Sequence, residues 1–66
     1  MALYELAERK ASGVIVRLLW DSARNQAVLR YRDQETGDAF VTDVPNPRAL
    51  TAFLHPNIFR PESLAA

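Results

Sequence analysis

The sequence has no cysteine, only two glycines and a single histidine. Without cysteine there is no disulfide, no thiolate nucleophile and no cysteine-ligated zinc or iron–sulfur centre. Gly13 and Gly37 are too far apart for a phosphate-binding loop, and His55 has no second histidine to complete a metal or acid–base site. We therefore expect no enzyme activity, no metal and no cofactor.

An excess of charge of one sign is also lacking, because eight basic residues balance eight acidic ones. This balance removes the broad positive field of a protein that binds nucleic acid mainly through phosphates. No apolar run approaches the roughly 20 residues of a membrane span, and the first residues lack the basic start and apolar centre of a signal peptide. We expect a cytoplasmic protein without membrane contact, folded as a single domain over residues 1–66.

The first segment predicts a short helix. Apolar residues recur at helical spacing over residues 2–11, and Glu5 stands four residues before Arg9, the arrangement of a helix-stabilising ion pair. Ser12 and Gly13 follow, and a glycine just past the last periodic residue is a common helix end.

Three apolar and β-branched segments then predict the strands of an antiparallel β-meander: Val14–Trp20, Gln26–Asp33 and Asp38–Val44. The loops between them, 22–25 and 34–37, contain Asn25 and Gly37 at positions suited to a left-handed backbone. Loops of this length set a register that collects the apolar side chains on one face. That face, the expected core, carries Val14, Val16, Leu18, Trp20, Ala27, Leu29, Tyr31, Phe40, Thr42 and Val44.

A second helix has clear start and stop signals. Asn46 is a good N-cap, Pro47 suits the first helical position, and Pro56 ends the helix. Its apolar stripe, which we expect to cover the core face, consists of Leu50, Phe53 and Leu54.

Residues 57–66 predict an extended tail that Ile58 and Phe59 hold in place. The expected fold class is therefore α+β, with an N-terminal helix, a three-stranded antiparallel β-meander, a C-terminal helix packed on one sheet face, and an extended tail.

The opposite face of the predicted sheet is the most informative feature. The register places Arg17 directly across from Arg30, and like charges in such positions repel unless an acid, a phosphate or solvent separates them. Aliphatic side chains lie among the arginines, a combination common at protein interfaces. A solvated face whose arginine stems cover these aliphatic groups, or a face capped by the N-terminal helix, explains the pattern equally well. The candidate interaction residues are Ile15, Arg17, Leu19, Val28, Arg30, Arg32 and Val41.

These observations predict a small protein-protein interaction module that is not an enzyme. A domain of this size rarely gains more than about 3–5 kcal/mol from its own core, so we expect self-association or assembly with another protein. The alternative is a nucleic-acid-associated regulator that uses Arg17, Arg30 and Arg32 against phosphates, although zero net charge disfavours nucleic acid as a partner.

Several segments between residues 14 and 56 resemble other sequences. These segments are Leu18–Asp21, Asn25–Val28, Asp33–Gly37, Phe40, Ala49–Leu50, Phe53 and His55–Pro56. They resemble a group of short uncharacterised proteins from actinobacteria. The resemblance implies a compact β-meander plus a helix, and it assigns no functional residue. The seven arginines against one lysine fit a GC-rich genome, which accounts for an arginine-rich face without any function.

Overall fold

The structure, a computed structural model, describes residues 3–60 and contains one four-stranded antiparallel sheet with its strands in sequence order. The strands are β1 Leu3–Ala11, β2 Val14–Asp21, β3 Gln26–Asp33 and β4 Ala39–Val44. After β4 come a 3₁₀-helix, Asn46–Arg48, the helix α1, Ala49–Leu54, and a second 3₁₀-helix, Pro56–Phe59. The expected fold class is therefore wrong in two respects: the N-terminal helix is absent from the described residues, and the meander has four strands rather than three.

Residues 3–11 form a strand because a two-residue turn folds them back onto β2. Ser12 and Gly13 have φ values of 52° and 81°, and positive φ at both positions gives the tight turn that matches the twist of a β-hairpin. An isolated helix of this length gains little stability, whereas pairing with β2 satisfies backbone groups along the segment. The register shifts at a β-bulge between Glu5 and Ala7. The bulge interrupts the regular alternation of apolar and polar residues along this strand. The apolar spacing of the segment therefore resembles that of a helix.

The predicted register of the other strands is confirmed. Leu18 lies opposite Leu29, and Tyr31 lies opposite Phe40 with the two rings stacked at 5.0 Å between centroids. Asn25 has the expected left-handed backbone, with φ of 55°. The apolar side chains therefore meet on one face, called here the inner face. Its buried cluster consists of Val16, Ala27, Leu29, Tyr31, Phe40, Val44 and Ala52.

The helix α1 covers the inner face, but with a different side from the one predicted. Leu50 and Leu54 are 67% and 51% exposed, so their predicted packing on the core is wrong. Ala52 is fully buried, and Ala49 and Phe53 pack against the core beside it. A small residue at the contact lets the helix backbone approach the sheet closely, which leaves no room for a leucine stripe.

The helix begins differently from its prediction and ends as predicted. The Asn46 side chain does not cap the helix; its Oδ1 accepts from the Ala27 amide at 2.8 Å and its Nδ2 donates to the Asn25 carbonyl at 2.9 Å. These bonds attach the chain to β3 at the point where it leaves the sheet. The last residue of α1 is Leu54, immediately before His55 and Pro56, because proline restricts the residue before it to a non-helical backbone.

The expected extended tail is wrong for its first residues, which form the second 3₁₀-helix. Its residues 61–66, like residue 2 of the predicted N-terminal helix, lie outside the described residues. Phe59 packs against the core as expected, whereas Ile58 is largely exposed. The Arg60 guanidinium lies over the Phe40 ring, 4.9 Å from its centroid, and pairs with Asp38 at 2.7 Å. The end of the described chain is thereby attached to the start of β4.

Candidate interaction surface

The face of the sheet opposite α1, called here the outer face, is built of rows of residues that lie directly across from one another on the strands. All seven candidate interaction residues lie in three of these rows. The first row is Lys10, Ile15, Arg32 and Ala39; the second is Glu8, Arg17, Arg30 and Val41; the third is Glu5, Leu19, Val28 and Asp43.

The aliphatic residues of these rows differ in exposure. Leu19 is buried and Val28 is only 4% exposed, while Ile15 is half-buried and Val41 is 60% exposed. Val28 lies directly across from Asp43, whose carboxylate accepts two hydrogen bonds from Arg24, at 2.8 and 2.9 Å. Side chains of the domain thus cover the centre of the third row, and the aliphatic surface available to a partner lies in the first two rows.

The carboxylates that compensate Arg17 come from β1. Arg17 lies across from Arg30, and its Nε is 2.7 Å from Glu8 and 3.5 Å from Glu5. The hydrogen bond from Arg17 lowers the pKa of Glu8, and the same bond raises the pKa of Arg17. The charge of Arg17 is therefore largely compensated within the domain.

Arg30 and Arg32 are different, because within residues 3–60 neither has an ion pair, a hydrogen bond from its side chain or a contact with an aromatic ring. Both are exposed. Together with Arg17 and Ile15 they border a small cavity of about 70 Å³ in the outer face. We call Arg17, Arg30 and Arg32 the arginine cluster.

The other arginines hold the fold together. Arg9 donates from Nε to the Phe53 carbonyl at 2.9 Å and from Nη2 to the Leu54 carbonyl at 3.1 Å, so β1 binds the last turn of α1. Arg48 lies over the Phe59 ring, 5.1 Å from its centroid. These contacts use positive charge near helix carbonyls and aromatic faces, where it is stabilising.

Arg24 connects the loop after β2 to β4. It pairs with Asp21 at 2.7 Å and with Asp43 at 2.8 Å. Hydrogen bonds from Arg24 lower the pKa of both carboxyl groups, and the two carboxylates raise the pKa of Arg24. Asp21 Oδ1 also accepts from the amides of Ala23 and Arg24, which fixes the turn.

A second concavity lies between the inner face and the C-terminal residues. It is an open groove of about 450 Å³ lined by Arg9, Val14, Val16, Tyr31, Leu54, His55, Pro56, Asn57 and Ile58. His55 is exposed there.

Among residues 3–60 no three or more histidine, cysteine or acidic side chains form a group that could hold a metal ion. In the same range, no helix is long and apolar enough to cross a membrane.

Sequence reasoning missed the contribution of β1 to the outer face. Lys10, Glu8 and Glu5 were placed on a helix, although they lie beside the candidate residues of β2. The Ser12-Gly13 pair was the available signal, since a two-residue loop with glycine between potential strands is typical of a hairpin.

No protein-family model, curated protein or solved structure matches the chain. The resemblance to actinobacterial proteins therefore stays a prediction.

Proposed function

We propose that this protein is a small interaction module, not an enzyme, and that its outer face binds an acidic surface of another protein. The observation that carries the proposal is the exposed pair Arg30 and Arg32, which have no compensating partner within residues 3–60. A cytoplasmic location is part of the proposal, since a chain without cysteine is compatible with a reducing compartment.

The surroundings of these arginines support a protein partner. Val41 lies across from Arg30, and Ile15 lies across from Arg32, so each guanidinium has an aliphatic neighbour. Interfaces between proteins are enriched in arginine together with apolar groups, and a planar guanidinium can bind a carboxylate through two parallel hydrogen bonds. A partner surface with exposed Asp or Glu beside small apolar side chains is complementary to this pattern.

The charge distribution favours a protein over nucleic acid. Glu8 lies in the row of Arg17 and Arg30, and Glu5 lies in the neighbouring row. Both carboxylates compensate Arg17, so they interrupt the continuous positive surface that a phosphate backbone would follow. A nucleic-acid surface relies on several uncompensated cations in a continuous track.

Four of the described carboxylates favour a binding role over catalysis. Glu8, Asp21, Asp38 and Asp43 each accept a hydrogen bond from an arginine, which lowers their pKa values. A general acid or base works best when its pKa is near the working pH, and these contacts move the carboxyl groups away from that range.

The test compares binding of two probes to the same protein. Labelled poly-L-glutamate and a single-stranded oligothymidylate are titrated with the wild type and with the double variant Arg30→Gln, Arg32→Gln, at low and at moderate salt. We expect poly-L-glutamate to bind the wild type, and the double variant to bind it at least about tenfold more weakly because two charge-assisted contacts are lost.

Arg48→Gln is the matched control, because Arg48 is also exposed but lies over Phe59 rather than on the outer face. It should bind poly-L-glutamate as the wild type does. Tighter binding of the oligothymidylate with a steep salt dependence would replace the proposal with the nucleic-acid alternative. Binding of neither probe, or an equal loss in the Arg48 control, would overturn it.

A further inference from the structure

The free edge of β1 is a long strand without a neighbour among the described residues. It has nine residues, most of them exposed, and β1 is the first strand in the order of the sheet. An edge strand carries unpaired backbone N–H and C=O groups that can pair with another strand. What can pair here depends on which residues direct these groups away from β2.

The turn between β1 and β2 determines this. Ala11 and Val14 close the two-residue turn, and the pair that closes such a hairpin is the one whose backbones exchange hydrogen bonds. Hydrogen-bonded and non-hydrogen-bonded pairs alternate along an antiparallel ladder. Arg9 therefore bonds to β2, while Glu8 and Lys10 direct their N–H and C=O groups to the free edge.

Only a short stretch of this edge can accept a straight partner strand. The bulge between Glu5 and Ala7 bends the strand at one end, and the turn at Ser12 ends it at the other. Bulges and charged residues on an edge normally prevent indiscriminate pairing. The regular part is residues 7–11.

The charges on this stretch select one self-pairing register. Glu8 and Lys10 lie on the same face of the sheet, because they are opposite Arg17 and Ile15 in adjacent outer rows. In an antiparallel pair of identical strands, Glu8 opposite Glu8 or Lys10 opposite Lys10 brings like charges together and is destabilising. When Arg9 lies on the two-fold axis, Glu8 of each copy faces Lys10 of the other, and both of these pairs are attractive. Arg9 then faces Arg9 on the inner face, where each guanidinium is held by carbonyl oxygens of its own chain rather than by the opposite strand.

We propose that two copies of this protein associate through β1, antiparallel and centred on Arg9, so that Glu8 of each copy exchanges backbone hydrogen bonds with Lys10 of the other. The side chain of Arg9 is compatible with its place on the axis, since it bonds to the Phe53 and Leu54 carbonyls of its own chain. The two sheets then form one continuous sheet. A two-fold axis perpendicular to the sheet keeps both outer faces on the same side, so the dimer presents two arginine clusters to one partner surface.

A charge-exchange experiment tests this register. The molar masses of the wild type, Lys10→Glu and Glu8→Lys are measured by light scattering over a concentration series, each variant alone and the two variants mixed. We expect the wild type to reach twice the 7.4 kDa of one chain. Each variant alone should dimerise at least about tenfold more weakly, because both cross-strand pairs become repulsive. The equimolar mixture should restore dimers of one copy of each variant, in which both pairs between positions 8 and 10 are attractive again.

Lys10 makes no side-chain hydrogen bond or ion pair within residues 3–60, so Lys10→Glu is expected to fold normally; its circular dichroism and melting temperature verify this. Glu8→Lys removes the partner of Arg17, so its folding is verified in the same way. If it does not fold, Lys10→Glu decides alone, and a dimer as tight as that of the wild type overturns the proposal. A monomeric wild type, or two folded variants that stay monomeric when mixed, also overturns it. The variant Arg30→Gln, Arg32→Gln should keep the mass of the wild type, so this proposal and the proposed function can fail separately.

Discussion

Two valines on the outer face differ in exposure because their surroundings differ. Val28 is buried and lies across from Asp43, whereas Val41, on the neighbouring strand, is exposed and lies across from Arg30. The sequence places both on the same face, at positions that its alternation cannot distinguish. Because Val28 is buried inside the domain itself, a charge introduced there reports on folding and not on an interface.

The first prediction compares the same substitution at these two sites. Val28→Glu buries a carboxylate across from Asp43, where the nearby cation Arg24 already pairs with Asp43 and Asp21. We expect the free energy of unfolding to fall by about 3 kcal/mol or more. Val41→Glu places the carboxylate across from Arg30, and we expect a change within about 1 kcal/mol, towards stabilisation. Urea unfolding followed by the fluorescence of Trp20 measures both. Equal losses in the two variants would show that Val28 is not covered as described.

At the scale of elements, α1 is attached to the sheet from two directions. Ala49, Ala52 and Phe53 pack on the inner face, and Arg9 of β1 binds the carbonyls at the end of the helix. A helix of six residues is too short to be stable alone, so these contacts determine both its existence and the face that it buries.

The second prediction concerns that face. Ala52→Leu adds volume at a fully packed contact and should reduce the free energy of unfolding by about 1–3 kcal/mol. Leu50→Ala removes an exposed side chain and should change it by no more than about 0.5 kcal/mol. Urea unfolding of the two variants and the wild type distinguishes these effects. The reverse order of losses would mean that α1 buries the leucine stripe which its sequence pattern indicates.

At the scale of the whole molecule, ion pairs between arginine and carboxylate join segments that are distant in sequence. Glu8 with Arg17 joins β1 to β2, Arg24 with Asp43 joins the loop between β2 and β3 to β4, and Asp38 with Arg60 joins the start of β4 to the C-terminal residues. In each pair the arginine lowers the pKa of the carboxyl group.

The third prediction is a loss of stability in acid. A carboxyl group whose pKa is lowered in the folded state binds protons more readily once the chain unfolds. Its contribution to the free energy of unfolding is therefore complete above its unfolded pKa of about 4, and it is lost as pH falls through its lower pKa in the folded state. The urea midpoint should therefore change little between neutral pH and about pH 5, then decrease steeply below about pH 4.

Asp38→Asn is the matched variant for this titration, because it removes one of the paired carboxylates while keeping the size of the side chain. Its stability should be lower at neutral pH and should decrease less on acidification than that of the wild type. A wild-type midpoint that stays constant to about pH 3 would show that these ion pairs do not contribute to folding.

The sequence by itself determined the three later strands, their register and the end of α1. Alternation over β2, β3 and β4 and the lengths of their loops are local properties, and only one register puts Leu29 and Tyr31 into a core. Pro56 acts through the backbone of its own neighbourhood, so the end of the helix was equally readable.

The tertiary structure alone decided the form of β1, the buried side of α1 and the exposure of the outer face. Residues 3–11 have a bulge in place of regular alternation, so their strand exists through hydrogen bonds to β2 rather than through a local pattern. Ala52 is favoured over Leu50 at the sheet because close packing depends on the distance between two elements, which neither specifies alone. In the same way, Arg17 is compensated because pairing brings Glu5 and Glu8 of β1 beside β2, whereas none of the described carboxylates forms an ion pair with Arg30.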